Sequence, residues 1–244
     1  MCIDHVSRRH VLAGVATGLA ALVLPRLPWA NEPQHGQGAA TQPAAHSAPA
    51  VSADQALQWL KEGNKRFLDG KAERPNLSPD RIADTFANGQ HPFATIISCS
   101  DSRVPVEHVF DRGIGDLFVI RVAGNVVHTD ETGTTEYGAG HLNTPLVVVM
   151  GHTKCGAVTA VVKGDKVGGS IPKLVDRIVP AAEKSKAKGL KGDELILDAI
   201  RENVRQAIQD LNSGSEELQH LSKEGKIKII GAIYHVENGV VEWI

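Results

Sequence analysis

The chain carries two apolar runs that each end in polar residues, Phe93-Ala-Thr-Ile-Ile-Ser-Cys99-Ser-Asp101-Ser-Arg103 and Pro145-Leu-Val-Val-Val-Met150-Gly-His152-Thr-Lys-Cys155. A third run of the same kind covers residues 116–122. These runs are rich in β-branched residues and do not alternate between apolar and polar side chains. They therefore predict strands buried on both faces, which is typical of a parallel sheet.

Helical patterns separate and follow these runs. They span residues 56–67, with Ser52 as N-cap and Gly70 as stop, and then residues 132–141, 171–184 and 194–211. A further strand is predicted over residues 226–234, and Asn-Gly at 238–239 predicts a hairpin into residues 240–243. We expect an α/β fold, with a mostly parallel four-stranded sheet flanked by helices and an added antiparallel C-terminal edge strand.

The composition of the chain excludes one class of function, nucleic-acid binding. The 244 residues include 26 Lys and Arg against 28 Asp and Glu, and 42% of the residues are hydrophobic. This is the composition of a globular protein, and it lacks the basic patch of a nucleic-acid binder. We expect no nucleic-acid partner.

The first thirty residues predict an export signal. Arg8 and Arg9 stand immediately before an apolar run from Val11 to Leu24, which is shorter than the roughly 20 residues that span a bilayer as a helix. Paired arginines resemble a twin-arginine signal, so we expect export to the periplasm without a stable membrane anchor once the signal is removed. Residues 31–52, rich in Ala, Pro and Gln, predict a disordered linker, and we expect residues 53–244 to form one folded domain.

The three cysteines of the chain are Cys2, Cys99 and Cys155, which is too few for a disulfide framework. Cys99 and His152 each follow a buried strand, and ligand sites in open parallel sheets lie beyond the carboxyl ends of strands. His152 and Cys155 are three residues apart, a spacing that lets both reach one ion. Two sulfurs and one imidazole favour zinc over calcium or magnesium.

Three protein ligands leave the fourth position on zinc open or conditionally filled, and an open position normally holds a water of lowered pKa. Asp101 and Arg103 follow Cys99 and can form a charge-assisted pair. Asp101 could then accept a hydrogen bond from a hydroxide on the metal, or it could leave Arg103 and become the fourth ligand. Without the neighbouring cysteine, the pair would be interpreted as an ordinary salt bridge.

At these residues the chain resembles the β-class carbonic anhydrases. The motifs are Cys-Ser-Asp-Ser-Arg-Val at 99–104 and His-Thr-Lys-Cys-Gly-Ala at 152–157, and the segment Gly115-Asp-Leu-Phe-Val-Ile-Arg121-Val-Ala-Gly124-Asn125 is also similar. The resemblance extends from about residue 53 to the C-terminus. It implies that Cys99, His152 and Cys155 bind one zinc per subunit, that Asp101 and Arg103 form the catalytic dyad, and that carbon dioxide is hydrated reversibly to bicarbonate and a proton.

The resemblance also implies a homodimer or homotetramer, in which the N-terminal helix embraces the partner. Trp59 and Phe67 are then interface candidates, with burial in their own domain as the alternative. Some members have a regulatory bicarbonate site formed by a Trp, an Arg and a Tyr. Arg121 and Tyr234 occupy two of those places, but Ile96 stands at the place of the Trp.

Two other functions compete with this one. The same fold and metal could serve a hydrolase of a related small electrophile, such as carbon disulfide. The chain could also be a non-catalytic zinc-binding or thiol-redox protein of the envelope. The lack of a Cys-x-x-Cys pair argues against redox exchange, and the missing fourth ligand argues against a purely structural zinc.

Overall fold

The computed structural model describes residues 51–244. The export signal predicted over residues 1–30 lies outside them, as does the predicted linker apart from residues 51 and 52. Within the described part of the chain, no helix is both long enough and apolar enough to cross a membrane.

A single five-stranded sheet organises the described residues. Its strands are β1 (Ala94–Ser98), β2 (Leu117–Arg121), β3 (Leu146–His152), β4 (Lys228–Tyr234) and β5 (Val241–Trp243), in the order β2-β1-β3-β4-β5. The first four strands pair in parallel, and β5 pairs antiparallel with β4. The predicted fold class is confirmed.

Nine α-helices precede, connect or follow these strands in residues 51–244. They are α1 (Ala53–Leu68), α2 (Pro79–Asn88), α3 (Val106–Val109), α4 (Thr129–Glu136), α5 (Gly156–Lys163), α6 (Ile171–Val175), α7 (Val179–Ala187), α8 (Gly192–Gly214) and α9 (Glu216–Lys223). Short 3-10 turns at Ala123–Asn125 and Asp176–Ile178, and a π-helical turn at Tyr137–His141, complete the set.

The sheet is buried on both faces because its side chains alternate between two apolar clusters. Ile97, Val147 and Val149 pack in one cluster with side chains of α5, α7 and α8. Their strand neighbours Ile96 and Val148 pack in the other with side chains of α1 and α3. Every residue of β1 and β3 is buried, which explains why these strands have no polar alternation.

The first helix begins where the sequence predicts. The Ser52 hydroxyl accepts a hydrogen bond from the Gln55 amide at 3.1 Å and caps α1. Gly63 lies inside α1 and faces the carbonyl group of Phe110, where a Cβ atom would overlap with that oxygen. The glycine therefore permits the close contact between α1 and the end of α3.

The predicted bounds of two helices are wrong. The helix expected over residues 132–141 is α4, which begins at Thr129 and ends at Glu136 before the π-helical turn. The helix expected over residues 171–184 is interrupted by the 3-10 turn at Asp176–Ile178, and α7 continues from Val179 to Ala187. Pro180 explains the break, because its ring nitrogen has no hydrogen and its ring clashes with the carbonyl of residue 176 in a continuous helix.

The C-terminal hairpin forms, but not through the two-residue turn that Asn-Gly predicts. Six residues, 235–240, connect β4 to β5, and the His235 amide donates to the carbonyl oxygen of Val240 at 2.8 Å. Gly239 has a positive φ of 81°, whereas Asn238 does not. A type I′ turn needs positive φ at both central residues, so this connection is a longer loop.

The order of the strands in the sheet indicates where a ligand site should lie. From β1 the chain proceeds to β2 on one side, whereas β3 and β4 lie on the other side, so the order reverses between β1 and β3. Ligands of open α/β sheets bind at such a switch point, outside the carboxyl ends of the strands. Cys99 follows β1 directly, and His152 is the last residue of β3.

Candidate metal centre

Three side chains with metal-ligating atoms converge at this switch point. The sulfurs of Cys99 and Cys155 and a ring nitrogen of His152 all lie within 4.8 Å of one another. Cys99 follows β1, His152 ends β3, and Cys155 is the N-cap residue of α5. All three residues are buried. The structure therefore brings together the metal ligands that the sequence predicts.

The tautomer of His152 suits metal binding. Its Nδ1 atom lies 2.9 Å from the carbonyl oxygen of Thr153, and because a carbonyl oxygen only accepts, Nδ1 must be the donor. The lone pair then resides on Nε2, which is fully buried and has no hydrogen-bond partner within the described residues. A buried polar atom without a partner is costly in an empty site, and coordination to a metal would satisfy it.

The two thiols share their ionisation. Hydrogen bonding with Cys155, together with the hydrogen bond from the Gly124 amide at 3.2 Å, outweighs burial and lowers the pKa of the Cys99 thiol to about 4. The pKa of Cys155 is raised, because Cys155 keeps the proton that it shares with the Cys99 thiolate and because it is buried. A dication held between the sulfurs would replace that proton, so this donor set fits zinc.

Asp101 and Arg103 form the predicted pair next to these ligands. Arg103 donates from Nε to Oδ1 at 2.9 Å and from Nη2 to Oδ2 at 2.7 Å, and its backbone amide also donates to Oδ1. These bonds hold the pKa of Asp101 well below its usual range. Oδ2 of Asp101 also lies 3.8 Å from Nε2 of His152, so the ionised carboxylate borders the metal centre.

Arg103 also joins the two sequence motifs. Its Nη2 atom donates to the carbonyl oxygen of Lys154 at 3.2 Å, which places the guanidinium between the loop after β1 and the turn after β3. Lys154 has a positive φ of 56°, an uncommon conformation for a residue with a side chain. This turn lets the chain reverse between His152 and Cys155 so that both face the same point.

The three residues at the places of the family's regulatory anion site have different surroundings in this chain. Arg121 donates to the carbonyl oxygens of Cys99 and Asp101, at 3.0 and 2.7 Å, and so braces the loop after β1. Tyr234 is buried at the end of β4, and burial raises the pKa of its hydroxyl. Ile96 lies fully buried within β1.

The aromatic side chains of α1 have contacts within the chain. The ring of Trp59 packs edge-on against Phe93 with a centroid distance of 5.1 Å, and it remains partly exposed. Phe67 lies beside Gly239 of the β4–β5 loop and lines a cavity of about 550 Å³. A second cavity, of about 370 Å³, lies between α4 and the end of α8. None of the five predicted site residues lines either cavity. The metal centre is therefore identified by the arrangement of its side chains and not by the volume of a cavity.

One residue that supports the site had no role in the sequence analysis. Gly124 donates its amide to the sulfur of Cys99, and its carbonyl oxygen accepts from the Asn203 side chain of α8 at 2.8 Å. Its φ is 74°, and a Cβ atom there would lie 2.8 Å from Ile178 Cδ1. The dipeptide Gly124-Asn125 after an apolar strand was the available signal, since both residues adopt positive φ values.

The sequence profile of the carbonic anhydrase family matches residues 94–241. The chain belongs to this family. Carbonic anhydrase 2 of Mycobacterium tuberculosis is 37% identical over 189 residues, which cover 75% of this chain and 89% of that protein. All five predicted site residues of this carbonic anhydrase lie inside the span matched by the profile.

Solved structures assign the carbonic anhydrase to the β class. The β-carbonic anhydrase CafA of Aspergillus fumigatus aligns with a TM-score of 0.63 and 29% identity over 78% of this chain and 89% of that one. Two tetrameric β-carbonic anhydrases of Sordaria macrospora align with a TM-score of 0.63 and 20% identity, over 77% of this chain and 96% of that one. At 20% identity, the alignment with the Sordaria macrospora proteins shows only that the fold is shared.

Proposed function

We propose that this β-class carbonic anhydrase hydrates carbon dioxide reversibly to bicarbonate and a proton at the centre formed by Cys99, His152 and Cys155. The observation that carries the proposal is the position of Asp101. Its carboxylate is ionised, is held by Arg103 and borders the buried Nε2 atom of His152. Ligands for zinc and an oriented hydrogen-bond acceptor therefore meet at one point.

Zinc is the cofactor that this donor set fits, with Cys99, His152 and Cys155 as its protein ligands. When bound there, zinc supplies the Lewis acidity that makes a water molecule nucleophilic near neutral pH. Two thiolates donate more charge than two imidazoles would, which weakens that acidity. The neighbouring protein groups must therefore contribute to activation.

Asp101 is the group that we assign to this task. An ionised carboxylate can only accept hydrogen bonds, so Asp101 orients the attacking water by taking the hydrogen bond from its O–H group. Arg103 keeps both carboxylate oxygens in place. The water oxygen bonds to the carbon of carbon dioxide, one proton passes to solvent, and bicarbonate is the product.

The pair has a second use that the same atoms allow. If Asp101 leaves Arg103, its carboxylate can approach the ligand cluster and take the fourth position on the metal, which would block the nucleophile. The bidentate contact with Arg103 favours the arrangement in which Asp101 stays off the metal. Activity would thus depend on the integrity of this ion pair.

Stopped-flow measurement of carbon dioxide hydration, on purified protein of known zinc content, tests the function. We expect catalysis that requires one zinc per chain and that disappears when a chelator removes the metal. Stoichiometric zinc without activity, even at alkaline pH, would overturn the proposal and favour a non-catalytic zinc-binding protein. Activity on carbon disulfide without activity on carbon dioxide would favour the related hydrolase.

We propose that the protein forms a homodimer or a homotetramer through a face that includes α2. Phe86 is 92% exposed and Ile82 is 55% exposed, and the two residues are one turn apart on α2. Large apolar side chains exposed together are typical of association sites. Sedimentation analysis should therefore give an oligomer at micromolar concentration.

We propose that the protein is exported to the periplasm through a twin-arginine-type signal. Support comes from the sequence alone, in the arginine pair that precedes the apolar run between Val11 and Leu24. Cell fractionation of the full chain tests this. Replacing Arg8 and Arg9 with Lys should retain the protein in the cytoplasm, and unchanged periplasmic recovery would contradict the assignment.

A further inference from the structure

Thr153 stands between two metal ligands in the chain but ligates nothing itself. It is buried, and four hydrogen bonds fix it. Its amide donates to the carbonyl oxygen of Tyr234 at 2.9 Å, and its carbonyl oxygen accepts from Nδ1 of His152 at 2.9 Å. Its hydroxyl accepts from the amide of Val236 at 3.0 Å and donates to the carboxylate of Glu237 at 2.6 Å.

Three of these four bonds come from the end of β4 and the loop that follows it. Tyr234 ends β4, and Val236 and Glu237 belong to the six-residue connection to β5. The hydroxyl of Thr153 is the main cause that lowers the pKa of Glu237 to about 2, so this carboxylate is ionised and its bond to Thr153 is charge-assisted.

The loop is itself braced by charged groups. The two ring nitrogens of His235 lie 3.2 Å from Oε1 of Glu237 and 3.1 Å from Oε2 of Glu242. Glu242 lies in β5, and both of its carboxylate oxygens accept from Nη2 of Arg201 in α8. The loop is therefore tied both to the edge strand and to a long helix.

We propose that the β4–β5 loop is a positioning element of the metal centre, in which Glu237 holds Thr153 and Thr153 orients the imidazole of His152. The proposal rests on the zinc site described above. The carbonyl oxygen of Thr153 is the acceptor that keeps the proton on Nδ1 and the lone pair on Nε2. If that carbonyl group were displaced, the ring could rotate, or its proton could move from Nδ1 to Nε2.

The chemistry of metal-bound histidines supports this role. The second ring nitrogen of such a histidine usually donates to a fixed acceptor, and loss of that outer support typically costs about tenfold to 100-fold in metal affinity or activity. Here the acceptor is a backbone carbonyl group, whose position depends on the residue that carries it. The hydroxyl group of Thr153 anchors that residue to a segment 84 positions away in the chain.

The test compares zinc affinity and imidazole resonances in matched variants. Thr153→Val keeps the shape of the side chain but removes both hydroxyl bonds, and we expect about tenfold to 100-fold weaker zinc binding in a chelator competition. Thr153→Ser should restore most of the affinity. Glu237 is 56% exposed at its side chain, so Glu237→Ala should fold normally and weaken binding in the same direction.

Two controls separate positioning from general stability. Thr134→Val removes an exposed threonine hydroxyl in α4, and Glu224→Ala removes an exposed carboxylate that also faces a histidine. Neither control should change zinc affinity. In the Thr153→Val and Glu237→Ala variants, the ¹⁵N resonances of His152 should shift in NMR spectra of the zinc-loaded protein.

The outcome is decisive in both directions. Unchanged zinc affinity and unchanged His152 resonances in folded Glu237→Ala and Thr153→Val proteins would overturn the proposal. A purely structural role would lower the melting temperature of these variants and leave both readouts unchanged. Because zinc affinity is measured without turnover, a wild-type protein that binds zinc but does not hydrate carbon dioxide would overturn the proposed function and leave this test intact.

Discussion

The guanidinium group of Arg103 engages both carboxylate oxygens of Asp101, with Nε–Oδ1 and Nη2–Oδ2 distances of 2.9 and 2.7 Å. Such a fork-to-fork contact fixes the plane of the carboxylate as well as its charge. It leaves Oδ2 facing Nε2 of His152 at 3.8 Å. The acceptor is therefore oriented by Arg103, a residue outside the set of Cys99, His152 and Cys155.

Asp101→Asn should keep zinc and lose most activity. The amide still fits the space, but one of its two heteroatoms is a donor, so it cannot reproduce both contacts with Arg103 and the hydrogen bond to water. We expect kcat for carbon dioxide hydration to fall by about 100-fold or more, with zinc content unchanged by metal analysis. Asp84→Asn, which alters an exposed pair with Arg81, is the control. Full activity in the Asp101→Asn protein would remove this residue from the mechanism.

Cys155→Ala should lose zinc. It removes one of two thiolates, and the two donors that remain are too few to hold the ion firmly. We expect less than stoichiometric zinc after dialysis against a weak chelator, and no hydration activity. Ser98→Ala is the control, because this buried serine precedes Cys99 on the opposite face of β1. Retention of tightly bound zinc in the Cys155→Ala protein would contradict the ligand set.

Gly124→Ala should weaken the metal site and the fold together. An alanine at φ 74° is strained by about 1–2 kcal/mol, and its Cβ would press on Ile178. The amide that donates to the Cys99 sulfur must then move. We expect a lower free energy of unfolding in denaturant titrations and weaker zinc binding. Gly133→Ala in α4 meets open space and should be neutral or stabilising, by up to about 1 kcal/mol.

Glu202→Gln should reduce the acid sensitivity of the fold. Glu202 is buried in α8 and pairs with Lys184, Lys188 and Arg205. Burial opposes ionisation, but these cations outweigh it and lower the pKa of Glu202 to about 2 from its ordinary 4.5. A lowered folded-state pKa contributes stability above pH 4.5 that is lost as the pH falls toward 2.

The corresponding measurement is the free energy of unfolding of metal-free protein between pH 6 and pH 3. The wild-type protein should lose on the order of 2 kcal/mol from this group across that window. The Glu202→Gln protein should start lower and show a flatter profile. Glu183→Gln, in an exposed pair with Lys186, should follow the wild-type profile. Parallel profiles for Glu202→Gln and wild type would contradict the linkage.

Phe86→Asp should dissociate the oligomer without unfolding the subunit. The Phe86 side chain is almost wholly exposed in the single chain, so its replacement removes no contact of the subunit core. A carboxylate at this position would have to be buried without a partner in the interface. We expect a smaller sedimentation coefficient and an unchanged melting transition. Ala87→Asp is the control, because this exposed residue of α2 is adjacent to Phe86 in sequence and so faces another direction. An unaltered oligomer in the Phe86→Asp protein would exclude this face.

The sequence alone was sufficient to predict the sheet and the three side chains that converge at its edge. Uninterrupted apolar runs such as residues 145–150 indicate strands buried on both faces, because only such strands tolerate apolar side chains at every position. Metal-ligating residues at the ends of two such runs indicate a shared site, since parallel strands end at the same edge of a sheet. Cys99, His152 and Cys155 could be chosen in this way.

The break in the helix after residue 171 and the length of the C-terminal hairpin loop were harder to predict from the sequence. The residues on both sides of the 3-10 turn at Asp176–Ile178 are helical in pattern, and Pro180 was compatible both with a helix start and with a break. Asn238-Gly239 favoured a tight hairpin, but the loop between Tyr234 and Val241 is longer because it also contacts α1 and the metal-site turn. Asn64 of α1 donates to the carbonyl oxygen of Gly239 at 3.0 Å.

What the sequence by itself determined is the kind of chemistry: buried parallel strands, two cysteines and a histidine at their ends, and an Asp-Arg pair beside them. The tertiary structure decided which atoms meet. Arg103 reaches Lys154 across 51 positions of the chain, and Thr153 reaches Glu237 across 84. Such contacts depend on strand register and helix packing, which place distant residues within hydrogen-bond distance. A one-dimensional pattern records residue types and spacing, but not those distances.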